Sequence, residues 1–241
     1  MAIYIYKTVP NLIKALADVV VTMAQNAISL NGEFNIALSG GNSPKKLYEM
    51  LASPDYNQQI AWSKVNFFFG DERYVPDDDP ENNSNMVRAA LFAPLNIEES
   101  NIFSVDTSLS PDEAAKHYAA RIAAHFKGKE SAFDLILLGL GDNSHTASLF
   151  PNTTVLHDPS ASVQALFLPE QNVYRITMTA PMINQARHIA FLVYGQSKAE
   201  AVHHVLEDGY DPDKYPAQLI KREGGNVGWY LDNDAASLLR R

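Results

Sequence analysis

The stretch from Phe133 to Pro151, FDLILLGLGDNSHTASLFP, decides the fold class. Its first part, Asp134-Leu-Ile-Leu-Leu138, carries apolar residues on consecutive positions rather than on alternate ones. A strand of this kind is buried on both faces, as in a parallel sheet that has helices packed on each side. The stretch therefore predicts a central strand of an α/β sheet that leads into a polar, glycine-rich turn.

Short apolar segments of the same type recur along the chain, separated by longer segments with helical spacing. This alternation favours an open, mostly parallel, Rossmann-like α/β sheet with helices on both faces. Because the chain has 241 residues, 46% of them hydrophobic, we expect one domain spanning residues 1–241. The predicted strands are Ile3 to Tyr6, Phe34 to Ser39, Val65 to Gly70, Asn101 to Val105, Phe133 to Leu140, Val163 to Leu168, Tyr174 to Met178 and His188 to Tyr194.

Two of the predicted helices have recognisable ends. The helix from Asn11 to Leu30 stops at Asn31-Gly32, a typical C-terminal signal. Ser110-Pro-Asp-Glu113 combines a capping residue, a first-turn proline and two acids, and it predicts a helix that runs to about Phe126.

Composition limits the possible partners and compartments. Nineteen Lys and Arg against 28 Asp and Glu leave a formal charge of −9, so we expect no nucleic-acid and no membrane-surface partner. The absence of cysteine excludes disulfides and thiolate sites and is consistent with a cytoplasmic protein. The first residues lack a basic region before a long apolar segment, and no apolar stretch approaches the roughly 20 residues of a membrane span.

Glycine and polar residues gather where the predicted strands end. In an open α/β sheet, ligands bind beyond the carboxyl ends of the strands, where glycine allows close approach of the backbone. We therefore expect one binding site where these turns converge, although such turns also need glycine without any function. Six of the twelve glycines lie at these ends: Gly40, Gly41, Gly70, Gly139, Gly141 and Gly195.

The turn after the second strand has features of an anion site. Ser43 is predicted to be the N-cap of a helix whose first residue is Pro44. Lys45 and Lys46 follow in the first turn, where cations oppose the helix dipole unless an anion is bound or the side chains point away. Both a phosphate site and two solvated lysines are compatible with this pattern.

The polar turn Asp142-Asn143-Ser144 delivers His145 to the same edge of the sheet. A histidine with a pKa near 6.5 can take a proton from water at neutral pH, but it can also simply bond to carbonyls of the turn. No zinc-protease, dinucleotide, P-loop or serine-esterase motif accompanies it, and we expect no metal site.

Five motifs occur in an order that is similar to that of a known family. The chain resembles the 6-phosphogluconolactonases of the glucosamine-6-phosphate isomerase and deaminase superfamily. The motifs are Ser39-Gly-Gly-Asn-Ser-Pro44, Gly70-Asp-Glu-Arg-Tyr-Val-Pro76 with Ser84-Asn85, Gly139 to Pro151, Arg175 to Arg187, and Gly195 to Ala199.

The resemblance implies an enzyme of carbohydrate metabolism. It implies hydrolysis of 6-phospho-D-glucono-1,5-lactone to 6-phosphogluconate in the oxidative pentose phosphate pathway, without a metal or an organic cofactor. The expected partner is a small phosphorylated sugar lactone, and the expected assembly is a monomer or a small homo-oligomer.

The resemblance also implies roles for particular residues. His145 would activate the attacking water, and Asp71 would position the histidine or the sugar hydroxyls. The phosphate-binding residues would be Ser39, Gly40, Gly41, Asn42, Ser43, Arg73, Arg175 and Lys198.

This chain departs from the family pattern beside the histidine. Asn143-Ser144 stands where the family usually has Asp-Gly. A neutral amide at Asn143 can orient the imidazole but cannot raise its basicity, and Asp142 is a candidate to supply the charge instead. A side chain at Ser144 costs up to about 1 to 2 kcal/mol if the backbone there needs a positive φ.

Two other functions stay open. A glucosamine-6-phosphate deaminase would share the phosphate loop and the histidine turn, but its members carry a glutamate soon after the histidine, and Thr146 to Pro151 has no carboxylate. A sugar-phosphate-binding protein without turnover is the second alternative, suggested only by Asn143 and Ser144.

Overall fold

The computed structural model describes residues 1–127, 133–221 and 226–240. Its strands are β1 (Ala2–Tyr6), β2 (Phe34–Leu38), β3 (Val65–Phe69), β4 (Asp71–Arg73), β5 (Leu135–Leu138), β6 (Val163–Leu168), β7 (Val173–Met178), β8 (Ile189–Val193) and β9 (Val227–Asp232). Its α-helices are α1 (Val9–Asn31), α2 (Asn42–Leu51), α3 (Asn83–Val87), α4 (Ala93–Leu95), α5 (Pro111–His125), α6 (Ala180–Asn184) and α7 (Ala199–Glu207).

The strands form two sheets. Six of them pair in the order β1-β9-β8-β5-β2-β3, and every pairing in this sheet is parallel. The other three form an antiparallel sheet in the order β4-β7-β6. The mostly parallel α/β fold is thereby confirmed, but β6 and β7 lie outside the main sheet.

Burial of β5 on both faces explains its run of apolar residues. Leu135 and Leu137 belong to the core on one side of the sheet, which includes the buried face of α1. Ile136 and Leu138 belong to the core on the other side, which includes the buried face of α5. Side chains of successive strand residues point to opposite faces, so a strand between two helical layers must be apolar throughout.

The ends of two helices follow the sequence signals. Gly32 closes α1 in the left-handed conformation, with φ 87°, and its N–H donates to the carbonyl of Ile28. Ser110 and Glu113 form the reciprocal capping box of α5. By contrast, Ser43 is not an N-cap, because α2 begins at Asn42 and Gly41 precedes it with φ 94°. Only glycine adopts that φ readily, which moves the helix start upstream.

The strands predicted from the sequence differ from the observed strands at three places. Asn101 to Val105 is not a strand, since only Ile102 makes an isolated bridge, to Phe67. The strands β4 and β9 were not predicted. The three residues of β4, Asp-Glu-Arg, have no apolar pattern, and their extended form depends on pairing with β7.

The helix α1 also corrects the expectation about membrane spans. Its 23 residues are long and apolar enough to cross a bilayer by length and composition alone. In this fold, Leu12, Leu16, Val20 and Ala24 of α1 are buried in the core against the sheet. A core helix meets the same criterion, so the length of α1 is weak evidence for a membrane span.

Candidate functional site

A cavity of about 410 Å³ lies at the carboxyl ends of β2, β5 and β8, where the second sheet meets the first. The turns that the sequence singled out converge on it, although they are far apart in the chain. The predicted catalytic and phosphate-binding residues all line this cavity: Ser39, Gly40, Gly41, Asn42, Ser43, Asp71, Arg73, His145, Arg175 and Lys198.

The turn after β2 presents the start of α2 to the cavity. The backbone of Ser39 is fixed by the buried Tyr48 hydroxyl, which accepts from its N–H at 3.0 Å and donates to its carbonyl at 2.7 Å. Gly40 packs against Asn83 so closely that an added Cβ would lie 1.8 Å from Asn83 Oδ1. The first N–H groups of a helix have no intrahelical partner, so this wall of the cavity favours an anion.

The turn after β5 holds His145 by its backbone. The N–H of Gly141 donates to the carbonyl of His145 at 2.8 Å, and the N–H of Ser144 donates to the carbonyl of Gly141 at 2.9 Å. Ser144 has φ 62°, so it adopts the left-handed conformation despite its side chain. Its carbonyl accepts from the N–H of Ala217 at 3.0 Å, which braces the turn.

The imidazole of His145 is fixed on three sides. Its Nδ1 lies 2.5 Å from Asn143 Oδ1, and its ring stacks on Phe150 with centroids 4.0 Å apart. A Cβ on Gly141 would lie 2.0 Å from the ring, so glycine is needed there. Asn143 Oδ1 also accepts from the backbone N–H of His145. Because this oxygen is an acceptor, the imidazole proton is assigned to Nδ1, and the lone pair of Nε2 is left to act as a base.

The surroundings of His145 disfavour its charged form. Burial lowers the pKa of the imidazole to about 4, and the positive charges of Lys198 and Arg175 act in the same direction. At neutral pH the ring is therefore neutral, which a general base requires.

The side chain of Asp142 serves Lys198 rather than the imidazole. Its Oδ1 accepts from Lys198 Nζ at 2.6 Å, and no hydrogen bond in the described ranges joins Asp142 to His145. The negative charge of Asp142 still raises the pKa of His145, but by less than burial and Lys198 lower it. Asp142 therefore acts on His145 through its charge and without a hydrogen bond, and its support of the imidazole stays a prediction.

Two arginines face each other on the antiparallel sheet. Arg73 of β4 and Arg175 of β7 are register partners. Arg73 donates to the carbonyl of Glu81 at 2.9 Å and to its carboxylate at 3.2 Å, whereas Arg175 donates from Nη2 to Gln171.

The remaining nitrogens of Arg175 have no hydrogen-bond partner in the described part of the chain. Its side chain is buried, and its Nε and Nη1 make no hydrogen bond within the described ranges. Burial lowers the pKa of this guanidinium, and the like charge of Arg73 adds to the effect. A buried guanidinium with two nitrogens unpaired among the described residues is costly, so this wall of the cavity is suited to an incoming anion.

Asp71 lies on the same strand as Arg73, and its side chain bonds to Ser148. Its Oδ2 accepts from the Ser148 hydroxyl at 2.6 Å, and no hydrogen bond in the described part of the chain connects it to His145. Of the two roles implied for Asp71, positioning of the sugar hydroxyls is the one that this geometry favours.

Sequence reasoning missed several residues of the site, among them Asn83, Ser148, Phe150 and Tyr194, which line the cavity. It also missed Glu72, whose buried carboxylate accepts from the N–H groups of Arg73, Asn83 and Ser84 at 2.7 to 3.0 Å. Burial raises the pKa of Glu72 to about 7.

Glu72 lies within the motif from Gly70 to Pro76, and Ser148 and Phe150 lie within the motif from Gly139 to Pro151, which was the available signal for them. Asn83 and Tyr194 lie one position before motif residues. The described ranges contain no group of three or more His, Cys, Asp or Glu side chains that could hold a metal ion.

Comparison with known proteins agrees with the geometry. A 6-phosphogluconolactonase from Synechocystis is 42% identical over 228 residues, which cover 92% of this chain and 91% of that protein. A 6-phosphogluconolactonase from Haemophilus influenzae is 39% identical over 210 residues, which cover 87% and 89% of the two chains. The solved structure of 6-phosphogluconolactonase from Trypanosoma cruzi is 28% identical with a TM-score of 0.86, and it covers 100% of this chain and 97% of that one.

The model of one family, described as glucosamine-6-phosphate isomerases/6-phosphogluconolactonase, matches residues 7–229. The match begins just after β1 and ends within β9, and it includes every turn that lines the cavity. This chain therefore belongs to the glucosamine-6-phosphate isomerase/6-phosphogluconolactonase family, as an enzyme of the hydrolytic, 6-phosphogluconolactonase kind.

Proposed function

We propose that this chain hydrolyses 6-phospho-D-glucono-1,5-lactone to 6-phospho-D-gluconate, the second step of the oxidative pentose phosphate pathway. One observation carries the proposal: the neutral imidazole of His145 lines the same cavity as the buried guanidinium of Arg175, two nitrogens of which make no hydrogen bond to any described residue. The first group suits a general base, and the second suits the phosphate of the substrate.

Phosphate binding is assigned to the wall formed by the start of α2 and the cationic side chains. The open N–H groups of the first helical turn and the free nitrogens of Arg175 are donors of the kind that bind phosphate oxygens. Arg73 and Lys198 add positive charge around the same cavity. Both are already paired with carboxylates, so Arg175 carries the largest share of the binding free energy.

The hydrolytic step begins at His145 Nε2. With its proton on Nδ1 and directed at Asn143 Oδ1, the ring accepts a proton from water at Nε2 as the water oxygen attacks C1 of the lactone. The attack moves the π electrons of the carbonyl onto its oxygen and forms a tetrahedral oxyanion, for which backbone N–H groups of the glycine turns that line the cavity are the candidate donors. The bond from C1 to the ring oxygen then breaks, and the imidazolium returns its proton to that oxygen as it leaves.

Asn143 is compatible with this mechanism. The amide fixes the tautomer and the orientation of the imidazole at 2.5 Å, which is the positional part of the role of an aspartate. It does not supply the negative charge that would make Nε2 more basic. We therefore propose an active enzyme whose base is weaker than that of a relative with aspartate at this position.

The deaminase alternative has less support. The loop that follows His145 contributes Thr146, Ala147, Ser148 and Phe150 to the cavity, and none of these side chains is a carboxylate. The non-catalytic alternative rests on Asn143 and Ser144 alone, and the geometry of the imidazole argues against it.

The proposal is tested by following acid release from the lactone at constant pH, with the spontaneous rate subtracted. We expect acceleration by the wild type, and a fall of about 10² to 10⁴ in His145→Ala, which loses the base. His157→Ala is the matched control, because His157 is exposed and pairs with Asp213 outside the cavity. Binding of 6-phosphogluconate without any acceleration would favour the non-catalytic alternative, and equal rates for both variants would refute the role of His145.

A further inference from the structure

Ser148 links the loop of His145 to the antiparallel sheet. Its hydroxyl donates to Asp71 Oδ2 at 2.6 Å, and its backbone N–H donates to Thr177 Oγ1 at 3.2 Å. Ser148 and Thr177 are both fully buried, and Thr177 is the register partner of Asp71. The hydroxyl is therefore held in one place, and its bond to a carboxylate is of the strong, charge-assisted type.

Asp71 and Arg175 lie diagonally across two paired strands, since Asp71 pairs with Thr177 and Arg73 pairs with Arg175. Both line the cavity, but no ion pair joins them within the described ranges. The negative charge of Asp71 acts on Arg175, since it raises the pKa of that guanidinium against the stronger effects of burial and Arg73. Arg175 nevertheless keeps Nε and Nη1 without a partner among the described residues. A free carboxylate beside such a cation would rotate to pair with it, because a buried unpaired charge is costly.

We infer that the Ser148 hydroxyl is a positioning group that holds the Asp71 carboxylate away from Arg175 and so keeps this guanidinium open for the substrate's phosphate. The inference rests on the proposed role of Arg175 in phosphate binding. In this role the Ser148 hydroxyl prevents the Asp71 carboxylate from competing with the bound anion for Arg175, which a side chain that only fills space would not do. The other oxygen of Asp71 stays available to accept from a sugar hydroxyl.

The test is a double-mutant cycle read by calorimetric binding of inorganic phosphate and of 6-phosphogluconate. In Ser148→Ala the carboxylate is released, and we expect both anions to bind about tenfold more weakly, as for competition by a close charge pair. In an Asp71→Ala background no carboxylate can compete, so adding Ser148→Ala should change the affinity by less than about twofold. For the lactone, Ser148→Ala should raise KM and leave kcat nearly unchanged.

The control is Ser160→Ala, which removes a similar 2.6 Å bond from a serine hydroxyl to Asp158, away from the cavity. It should leave the affinity unchanged. An equal loss of affinity from Ser148→Ala in both backgrounds would indicate a packing role for Ser148 and would overturn the inference. The absence of any loss in either background would overturn it as well. Phosphate binding can be measured without turnover. A wild type that binds phosphate but does not accelerate lactone opening would therefore refute the proposed function, and the inference about Ser148 would still be decided by the binding measurements.

Discussion

The imidazole of His145 and the amide of Asn143 are joined at 2.5 Å, from Nδ1 to Oδ1, by residues only two positions apart. The contact is local, so it needs no long-range packing to form. It decides which ring nitrogen carries the proton and therefore which one faces the cavity as a base.

Asn143→Asp should change the pH dependence of the reaction. A carboxylate beside Nδ1 favours the imidazolium, so it raises the pKa of His145 from the value of about 4 that burial and cations impose. The acid limb of kcat/KM should then move to higher pH by about one unit, and the rate at pH 8 should rise. Both enzymes are measured on the same substrate, so ionisation of its phosphate cancels in the ratio. A constant ratio from pH 5 to 8 would contradict the expectation.

Gly141→Ala should displace the base without unfolding the chain. The new Cβ would lie 2.0 Å from the His145 ring, so the imidazole must move, and a misplacement of about 1 Å can cost 10²-fold in rate. We expect kcat to fall by at least about 10², with a nearly native melting temperature. Gly209→Ala is the control, since nothing lies within 4 Å of its added Cβ. Normal kcat in Gly141→Ala would show that the position of the imidazole is not decisive.

Arg175→Met should separate binding from stability. The variant removes a buried cation that faces Arg73, so the melting temperature without ligand should stay the same or rise, while KM for the lactone increases by at least about tenfold. Stabilisation by added phosphate should also disappear. Arg187→Met is the contrasting variant, because it leaves the buried Asp134 without its cation and should lower the melting temperature. Unchanged KM in Arg175→Met would contradict the phosphate assignment.

His145 should also make stability depend on pH. Its pKa is about 4 in the folded chain and 6.5 for an imidazole that is not buried, so the folded chain binds fewer protons than the unfolded chain between these values. The free energy of unfolding should therefore decrease as the pH falls from about 6.5 toward 4. Urea unfolding at pH 7 and pH 5 checks this, with His145→Gln as the reference that lacks the titrating group. An equal decrease in both proteins would mean that His145 contributes nothing to the slope.

Several features were predictable because their causes lie within a few residues. The C-terminal Gly32 of α1 and the capping box from Ser110 to Glu113 depend on adjacent backbone and side-chain groups. The buried strand β5 was recognisable because two-sided burial leaves only apolar residues.

Features that depend on distant residues were not predictable. The three polar residues of β4 become a strand only by pairing with β7, about one hundred positions later. Asp142 pairs with Lys198, 56 positions away, because the fold brings that ammonium next to its carboxylate. The bond from Ser148 to Asp71 spans 77 positions and has no local signature.

The order of apolar and polar segments determined that this chain forms an α/β sheet covered by helices on both faces. It also determined that the turns with polar functional residues lie at the carboxyl ends of the strands. Both features depend on burial and turn conformation, which act on residues that are neighbours in the sequence. Only the tertiary structure decided which charged side chains of the cavity form hydrogen bonds with each other. Asp71 bonds to Ser148 only because the folded chain brings the two side chains together. The same folding leaves Nε and Nη1 of Arg175 without a hydrogen-bond partner among the described residues.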